Sequence, residues 1–382
     1  MNRKGFTLVE VIVILAVLSI LAAMAVPMAL RIFERTAEDT TREEMDNIKK
    51  ALLGNPQKLQ TSFRNDFGYL GDIGCLPSTA LGGLDRLLTQ GSLPAWTFDS
   101  TKQAGAGWKG PYITGTPGED FKKDQLGNDY TYTPVAGTCP LTATLVSNGP
   151  DGLPSTADDI TVTIVANDTT ATIRGTVKNT SGTGLAAVPV EYYSAANNGV
   201  LTTTSGTTDA NGNYSFSSAP FGQRAVKPNP TLVLVAGSVQ VQGGNNNDIQ
   251  FDVTNFSGSA FTVTQINVTC PAGVTDYADA DFDGTTVTPG GEEQCGQTYN
   301  LSGGNRTFNA NPTPPSSMRV VVDSPDTQLP DYTIRGGGNT RTIELFDFEN
   351  GNTNVDMRNK TLTVTFTLSV GGPAVITFTT PP

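Results

Sequence analysis

The sequence predicts an α+β protein in which a long N-terminal helix carries a small mixed head, followed by two all-β sandwich modules. Three observations predict this class. Residues 11–30 contain no charged side chain and read as one helix. Gly and Pro, 41 and 24 residues, together form about 17% of the 382-residue chain, against roughly 12% on average. Beyond the first fifty residues, short β-branched runs alternate with turn residues, a pattern typical of β-sandwiches.

The charge balance excludes several function classes. The chain has 24 Lys+Arg, 36 Asp+Glu and no His, for a net charge of −12. Without His there is no Ser-His-Asp or Cys-His arrangement and no His-containing metal site. An acidic chain does not bind nucleic acid through a basic face. No carboxylate spacing selects a glycosidase-like pair. We therefore expect a protein that is not an enzyme and has no nucleic-acid partner.

The N-terminal segment has the pattern of a membrane-spanning helix. Arg3 and Lys4 precede the 20 uncharged residues of 11–30, which as a helix reach ~30 Å, the thickness of a bilayer core. The positive-inside rule places Arg3 and Lys4 in the cytoplasm and the bulk of the chain outside it. The helical pattern continues until Gly54 and Pro56.

Two simpler interpretations compete with an assembly function for this helix. A cleaved signal peptide has a shorter apolar stretch of 7–15 residues and is followed by a cleavage site. An ordinary membrane anchor leaves Glu10 unexplained, because an acid inside the apolar run costs a few kcal/mol unless it is paired.

The six residues from Gly5 to Glu10, Gly-Phe-Thr-Leu-Val-Glu after a basic leader, resemble the type IV prepilin signature of pilins and pseudopilins. The resemblance implies cleavage between Gly5 and Phe6 by a prepilin peptidase and methylation of the Phe6 amine. It implies that Glu10 neutralises the terminal amine of a neighbouring subunit. Pro27, where many pilins carry a proline, is expected to kink or locally melt the helix.

The same resemblance implies partners and a location. The expected partners are identical or related pilin subunits in a helical filament, the prepilin peptidase, and an inner-membrane assembly platform. Before assembly the chain is expected in the inner membrane, with its bulk extracytoplasmic. After assembly it is expected in a periplasmic pseudopilus or a cell-surface filament.

The predicted order of segments is a leader (1–5), the transmembrane and assembly helix (6–53), a globular head (54–165), and β-modules at 171–228 and 231–382. Parts of the head resemble the major pseudopilin of type II secretion systems, although two prolines and a tryptophan of that family's central motif are absent. Those parts are residues 84–88, 110–113, 124–132 and 145–152.

The two β-modules carry different signals. Residues 171–228 resemble carboxypeptidase regulatory-like or pilin-type immunoglobulin-like modules, with a turn at 209–213 rich in Asp, Asn and Gly. Pro228-Asn229-Pro230 marks a boundary. Residues 231–382 predict an immunoglobulin-like sandwich. Its expected strands are 231–241, 248–254, 261–269, 318–322, 340–346, 361–368 and 375–379.

The four cysteines fall two in each globular region, Cys75 and Cys139 in the head and Cys270 and Cys295 in the distal module. Four cysteines allow three pairings, and this partition favours pairing within each region. An extracytoplasmic location permits disulfides. We therefore predict Cys75–Cys139 and Cys270–Cys295.

Two acidic loops are candidate calcium sites. The first contains Ser147, Asp151, Asp158 and Asp159, and the resemblance to major pseudopilins implies a calcium ion in the matching loop. The alternative is a solvated surface loop.

The second candidate places Asp279, Asp281 and Asp283 alternately before Gly284, like the start of a calcium loop. Gly290 stands where an EF-hand has its glutamate, so the alternative is a polar turn between strands.

Two functions follow from the sequence. The first is a structural subunit (prepilin) of a type II secretion pseudopilus or a related type IV filament, assembled through its N-terminal helix. The alternative is a low-abundance tip subunit or adhesin that binds a surface, a glycan or a secretion substrate through its appended modules. The size of the chain favours this alternative, because 382 residues are many for a uniformly repeated pseudopilin.

Overall fold

A single 46-residue helix, α1 (Leu8–Leu53), begins the described part of this computed structural model, which comprises residues 8–60, 63–114, 120–301 and 306–382. No residue between positions 8 and 36 is buried, whereas Met45, Ile48 and Leu52 are fully buried against the head. The helix therefore changes from uniformly apolar to amphipathic along its length, as its sequence requires. The leader, with the Gly5–Phe6 junction, lies outside the described residues.

The end of α1 is fixed by one glycine and one arginine. Gly54 adopts a φ of +80° and donates its N–H to the carbonyl of Lys50 at 2.7 Å. A Cβ at this position would lie 2.3 Å from the carbonyl oxygen of Asp66, so only glycine fits. The Arg64 guanidinium donates to the Leu53 carbonyl, one of the carbonyls that a helix end leaves without a partner. The predicted helix end is confirmed.

The head consists of short elements that surround the C-terminal half of α1. Two hairpins, β1–β2 and β3–β4, flank a short helix α2, and β5, β6 and β7 form an antiparallel sheet. The elements are β1 (Leu59–Gln60), β2 (Phe63–Arg64), α2 (Gly68–Ile73), β3 (Thr97–Asp99), β4 (Ala104–Ala106), β5 (Thr131–Pro134), β6 (Ala143–Ser147) and β7 (Ile160–Ile164), with 3₁₀ turns at Thr79–Leu81, Gly83–Leu87, Asp120–Lys122 and Ala166–Asp168.

The first sandwich follows directly. Its strands are β8 (Thr170–Lys178), β9 (Pro189–Ala196), β10 (Val200–Thr207), β11 (Asn213–Pro220) and β12 (Gly222–Pro228). One antiparallel sheet contains β10, β9 and β12, and a second contains β11 and β8. The turn before β11 forms as expected, because the Asp209 carboxylate accepts the N–H groups of Asn211 and Asn213, each at 2.8 Å.

The strands after residue 230 are β13 (Leu232–Leu234), β14 (Gln240–Gln242), β15 (Asp248–Asn255), β16 (Phe261–Thr269), β17 (Asp276–Tyr277), β18 (Ala280–Phe282), β19 (Thr285–Thr286), β20 (Glu293–Gln294), β21 (Thr298–Asn300), β22 (Thr307–Phe308), β23 (Met318–Val322), β24 (Asp326–Gln328), β25 (Tyr332–Thr333), β26 (Thr340–Leu345), β27 (Thr361–Leu368) and β28 (Ala374–Thr379), and most of them form the distal sandwich. One sheet has the order β13-β15-β26-β18-β19, and the facing sheet has the order β21-β16-β27-β28. Alternate side chains fill the space between them, including the fully buried Phe251, Ile343 and Phe366.

Strands β23, β24 and β25 do not join the distal sheets. β23 pairs antiparallel with β12, while β24 and β25 pair in parallel with β8. Residues 318–334, which the sequence analysis assigned to the distal module, therefore complete the first sandwich. Alternation in the sequence shows which side chains of a strand are buried, but it does not show which sheet edge the strand joins.

The head and the first sandwich share one hydrophobic core, whereas the distal sandwich has its own. Leu70 and Ile73 of α2 belong to the same buried cluster as Val190 of β9 and Val226 of β12. The end of α2 lies close to β9, and a Cβ on Gly74 would be 2.0 Å from the Ala195 carbonyl oxygen. The predicted boundary between residues 165 and 171 therefore separates two segments of sequence but not two cores.

Candidate functional sites

The apolar half of α1 is exposed on every side. All its large apolar side chains from Leu8 to Phe33 are 44–76% exposed. The helix is long and apolar enough to cross a membrane, by length and composition. Such a surface is unfavourable in water, so this half of α1 requires a bilayer or neighbouring apolar helices.

The polar groups within this half are arranged for an apolar environment. The Ser19 hydroxyl donates to the Leu15 carbonyl at 2.7 Å, and the Thr36 hydroxyl donates to the Ile32 carbonyl at 2.8 Å. These bonds within the helix remove the cost of an unsatisfied hydroxyl in lipid. Pro27 lies inside the helix, which continues through it without a break. Local melting at Pro27 is therefore not observed, and the expected kink stays a prediction.

Glu10 lies on the exposed surface of this apolar half. A carboxylate at this depth of a membrane costs a few kcal/mol, which is consistent with a role that requires its charge. Its predicted contact, the Phe6 amine of a neighbouring subunit, involves another chain and a residue outside the described part. The roles of Gly5, Phe6 and Glu10 stay predictions.

Side-chain hydrogen bonds join the C-terminal half of α1 to the head. Glu44 accepts a hydrogen bond from the Tyr130 hydroxyl at 3.0 Å, and the Thr41 hydroxyl oxygen accepts the N–H of Gln125 at 3.3 Å. Burial and the neighbouring Glu44 carboxylate raise the pKa of Tyr130. The head is thus fixed to one end of α1 and leaves the other end uncovered.

One comparison with known proteins concerns this segment directly. Residues 1–26 match the family model of the prokaryotic N-terminal methylation motif. The motif agrees with the resemblance of the first residues to type IV prepilins and supports a membrane-anchored pilin-type precursor. The match covers the N-terminal segment alone. No curated protein matches this chain.

Solved structures resemble the chain only weakly. The major pilin SpaD of Corynebacterium diphtheriae is 12% identical over 56% of this chain and 65% of its own, with a TM-score of 0.23. BcpA, the major pilin subunit of Bacillus cereus, is 9% identical over 56% of this chain and 69% of its own, with a TM-score of 0.16. CfaE, an adhesive fimbrial subunit of enterotoxigenic Escherichia coli, is 9% identical over 68% and 85%, with a TM-score of 0.17. At these TM-scores the likenesses carry no argument about function.

Both predicted disulfides are present. Cys75 is bonded to Cys139, with 5.0 Å between their Cα atoms, and Cys270 is bonded to Cys295, with 5.6 Å. The first links the segment after α2 to the segment before β6. The second links the end of β16 to the end of β20. The pairing within each globular region is confirmed.

In the first acidic loop, the carboxylates accept hydrogen bonds from backbone N–H groups of the same loop. Asp151 accepts the N–H of Leu153 at 2.8 Å, Asp158 accepts the N–H of Asp151 at 3.1 Å, and Asp159 accepts the N–H of Ser155 at 2.8 Å. The hydrogen bond from the Asp151 backbone lowers the pKa of Asp158. These hydrogen bonds shape the loop.

The residue that organises this region, Asp124, was not among the predicted site residues. Asp124 is buried and accepts hydrogen bonds from the N–H of Asn128 at 2.8 Å and from the Ser147 hydroxyl at 2.7 Å. The Ser147 hydroxyl therefore donates to Asp124, and its oxygen accepts the N–H of Gly149 at 3.3 Å. The sequence Asp-Gln-Leu-Gly-Asn at 124–128 is a turn signal that could have indicated this role.

In the second acidic loop, the three carboxylates have different surroundings. Asp283, with a φ of +51°, pairs with the buried guanidinium of Arg341 and accepts the N–H of Thr342 at 2.9 Å. Asp279 is placed to accept the Thr288 hydroxyl at 3.5 Å, and Asp281 lies in β18. The expected convergence of Asp279, Asp281 and Asp283 is therefore not observed, because Arg341 holds Asp283.

Within the described ranges, no group of three or more Asp, Glu, Cys or His side chains is arranged to hold a metal ion. Calcium at either loop stays a prediction. To bind calcium, the carboxylates of the first loop would have to give up their hydrogen bonds to backbone N–H groups.

The aromatic residues divide into two sets. Tyr192 of β9 and Tyr214 and Phe216 of β11 are buried between the sheets of the first sandwich. Trp96 and Phe98, which the sequence analysis did not single out, lie at the surface next to a cleft. Their spacing of two residues on one strand was the available signal.

Proposed function

We propose that this chain is a structural subunit of a type IV filament, in the form of a type II secretion pseudopilus or a related filament. The observation that carries the proposal is the division of α1. Its C-terminal half is part of the head core, whereas the whole circumference of its apolar half is exposed. The methylation motif at residues 1–26 supports the same function.

The proposed assembly starts in the membrane. A prepilin peptidase cleaves between Gly5 and Phe6 and methylates the new amine, and an inner-membrane platform then moves the subunit into the filament. In the filament, the apolar halves of neighbouring α1 helices contact one another in place of lipid. A Glu10 carboxylate placed against the Phe6 amine of the next subunit fixes the axial position, because two opposite charges in an apolar core are stable only when paired.

The second candidate is a low-abundance tip subunit or an adhesin. The distal sandwich favours it, since this module has a core separate from that of the head. A module that is not needed to complete the head is available for binding. A tip subunit would also assemble through α1, so the two candidates differ in abundance and position within the filament.

The deciding experiment is the isolation of sheared filaments from cells that express the chain, followed by measurement of subunit stoichiometry. A filament composed mainly of this chain supports the structural subunit. Trace amounts at filament ends support the tip subunit. Absence of the chain from every filament fraction, with intact processing, overturns both.

A further inference from the structure

A cleft of about 520 Å³ lies where the head meets the first sandwich. Its floor is formed by α2 and the segment after Trp108, one wall by the β3–β4 hairpin, and the other wall by β12 and β23. The volume falls in the range of small-ligand sites, which occur preferentially between structural units. The size and the position of the cleft are therefore those of a small-ligand site.

The hairpin wall is aromatic. Trp96 and Phe98 lie on the same face of the hairpin, with their rings stacked at 6.2 Å and an interplanar angle of 19°. Trp96 packs on Gly105, where a Cβ would lie 2.6 Å from its ring, so the close packing requires glycine. Phe98 remains 41% exposed. Gln103, in the turn between β3 and β4, adopts a φ of +57°.

Hydrogen-bond donors and an acceptor share the same space. Lys109 lies over the Trp96 ring at 4.8 Å, and the Arg319 guanidinium lies over the Phe98 ring at 5.6 Å and donates to the Gln223 side chain at 3.3 Å. These contacts hold two cations at the cleft while leaving them exposed.

The acceptor is Asp72, at the end of α2. Its carboxylate accepts the Tyr112 hydroxyl at 3.1 Å, and burial raises the pKa of Asp72 to about 6. The carboxylate is therefore mostly ionised at neutral pH and lies in the same cleft as Lys109 and Arg319.

The mixture of donors and acceptors selects the chemistry of the ligand. An anionic ligand offers only acceptors and is repelled by Asp72, whereas a cationic ligand offers only donors and is repelled by Lys109 and Arg319. An apolar ligand would displace water from Asp72, Lys109 and Arg319 without giving them a hydrogen-bond partner in its place. Hydroxyl groups both donate and accept, and the carbon-bound hydrogens of a sugar ring fit an aromatic wall.

We propose that this cleft binds an oligosaccharide. Sugar hydroxyls would donate to Asp72 and accept from Lys109 and Arg319, with the sugar ring against the exposed part of Phe98. The proposal goes beyond filament assembly and does not depend on it, because binding is measured on the unassembled chain.

The test is calorimetric titration of the full-length protein in a zwitterionic detergent without a sugar headgroup, since a glycoside detergent would compete. The probes are the neutral hexasaccharides chitohexaose, cellohexaose and maltohexaose, taken to millimolar concentration. We expect at least one of them to bind, and Phe98→Ala and Arg319→Gln each to weaken that binding about tenfold.

The chain provides matched controls. Phe63 is 65% exposed and does not line the cleft, and Arg335 is exposed on another part of the first sandwich. We expect Phe63→Ala and Arg335→Gln to bind as the wild type does. Absence of binding by all three probes overturns the proposal. So does binding that survives both cleft substitutions, or that weakens equally in the controls.

Discussion

The guanidinium of Arg224 in β12 donates a hydrogen bond to the carbonyl of Gly71 in α2 at 2.7 Å, across the junction of the head and the first sandwich. The same guanidinium donates to Phe221 at 2.6 Å and Pro220 at 3.1 Å. Arg224 is completely buried, and this burial lowers its pKa, although an arginine stays charged at neutral pH. One side chain thus satisfies buried carbonyls from both units.

We predict that Arg224→Met lowers the free energy of unfolding by about 3 kcal/mol, because three buried carbonyls lose their donor. Both tryptophans, Trp96 and Trp108, lie in the head, so tryptophan fluorescence during chemical denaturation reports on this core. Arg319→Met, an exposed arginine on the neighbouring strand, is the control and should change stability by less than about 1 kcal/mol. Equal losses in the two variants contradict a bridging role for Arg224.

Replacing Glu10 tests the assembly proposal. We expect Glu10→Val to insert in the membrane and to be cleaved normally, since removing an acid makes insertion easier. Filament yield should fall to near zero, because the neighbouring amine loses its counter-charge in an apolar core. Immunoblots of sheared and cellular fractions measure both steps. Glu34→Val, beyond the uncharged run, is the matched control, and normal filament yield from Glu10→Val would refute the pairing.

The disulfides should stabilise different parts of the chain. Cys75–Cys139 spans a sequence separation of 64 residues and Cys270–Cys295 one of 25, which predicts contributions of about 4 and 3.5 kcal/mol in the chain-entropy model. Replacing Cys75 and Cys139 with Ala should lower the unfolding midpoint followed by tryptophan fluorescence. Replacing Cys270 and Cys295 should leave that midpoint unchanged and lower a second transition seen by calorimetry. A single transition that moves equally in both variants would show that the two cores unfold together.

The pKa of Asp72 predicts a pH dependence of stability. Burial raises this pKa from 3.8 to about 6 in the folded chain, so the folded state binds more protons than the unfolded state between about pH 4 and pH 6. The contribution of Asp72 is therefore most favourable below about pH 4 and is lost as the pH rises through 6, by an amount on the order of 2 kcal/mol. Unfolding curves at pH 4.5 and 7.5 for wild type and Asp72→Asn isolate this term. An identical pH dependence in both proteins would contradict it.

Substitutions in the two acidic loops test which of them binds calcium. We expect calcium to raise the thermal midpoint of the chelator-treated full-length protein through the first loop, and Asp158→Asn to remove that shift. Asp283→Asn should leave the shift intact, because Arg341 holds that carboxylate. Any shift that survives Asp158→Asn and disappears in Asp279→Asn belongs to the distal loop. No shift at millimolar calcium in the wild type would refute both sites.

The sequence alone determined those features that depend on local periodicity. The uncharged run of residues 11–30 and the spacing of Met45, Ile48 and Leu52 predicted one helix that ends at Leu53. This was possible because the buried face and the end of a helix depend on residues that are close in sequence. Strands β16 and β27 were predicted with the bounds that the structure has. The cysteine pairing followed from their distribution between two regions.

Only the tertiary structure decided which distant segments meet. β23 was predicted with its correct bounds but joins β12 instead of the distal sheets, because burial of Val320 and Val322 is satisfied at any free sheet edge. The alternating acids near Gly284 do not converge, because the fold brings Arg341 to Asp283 across 58 positions of sequence. The cleft at Asp72, Phe98 and Arg319 combines three separate segments. Short-range patterns fix which side chains are buried, whereas contacts between remote residues depend on how the whole core closes.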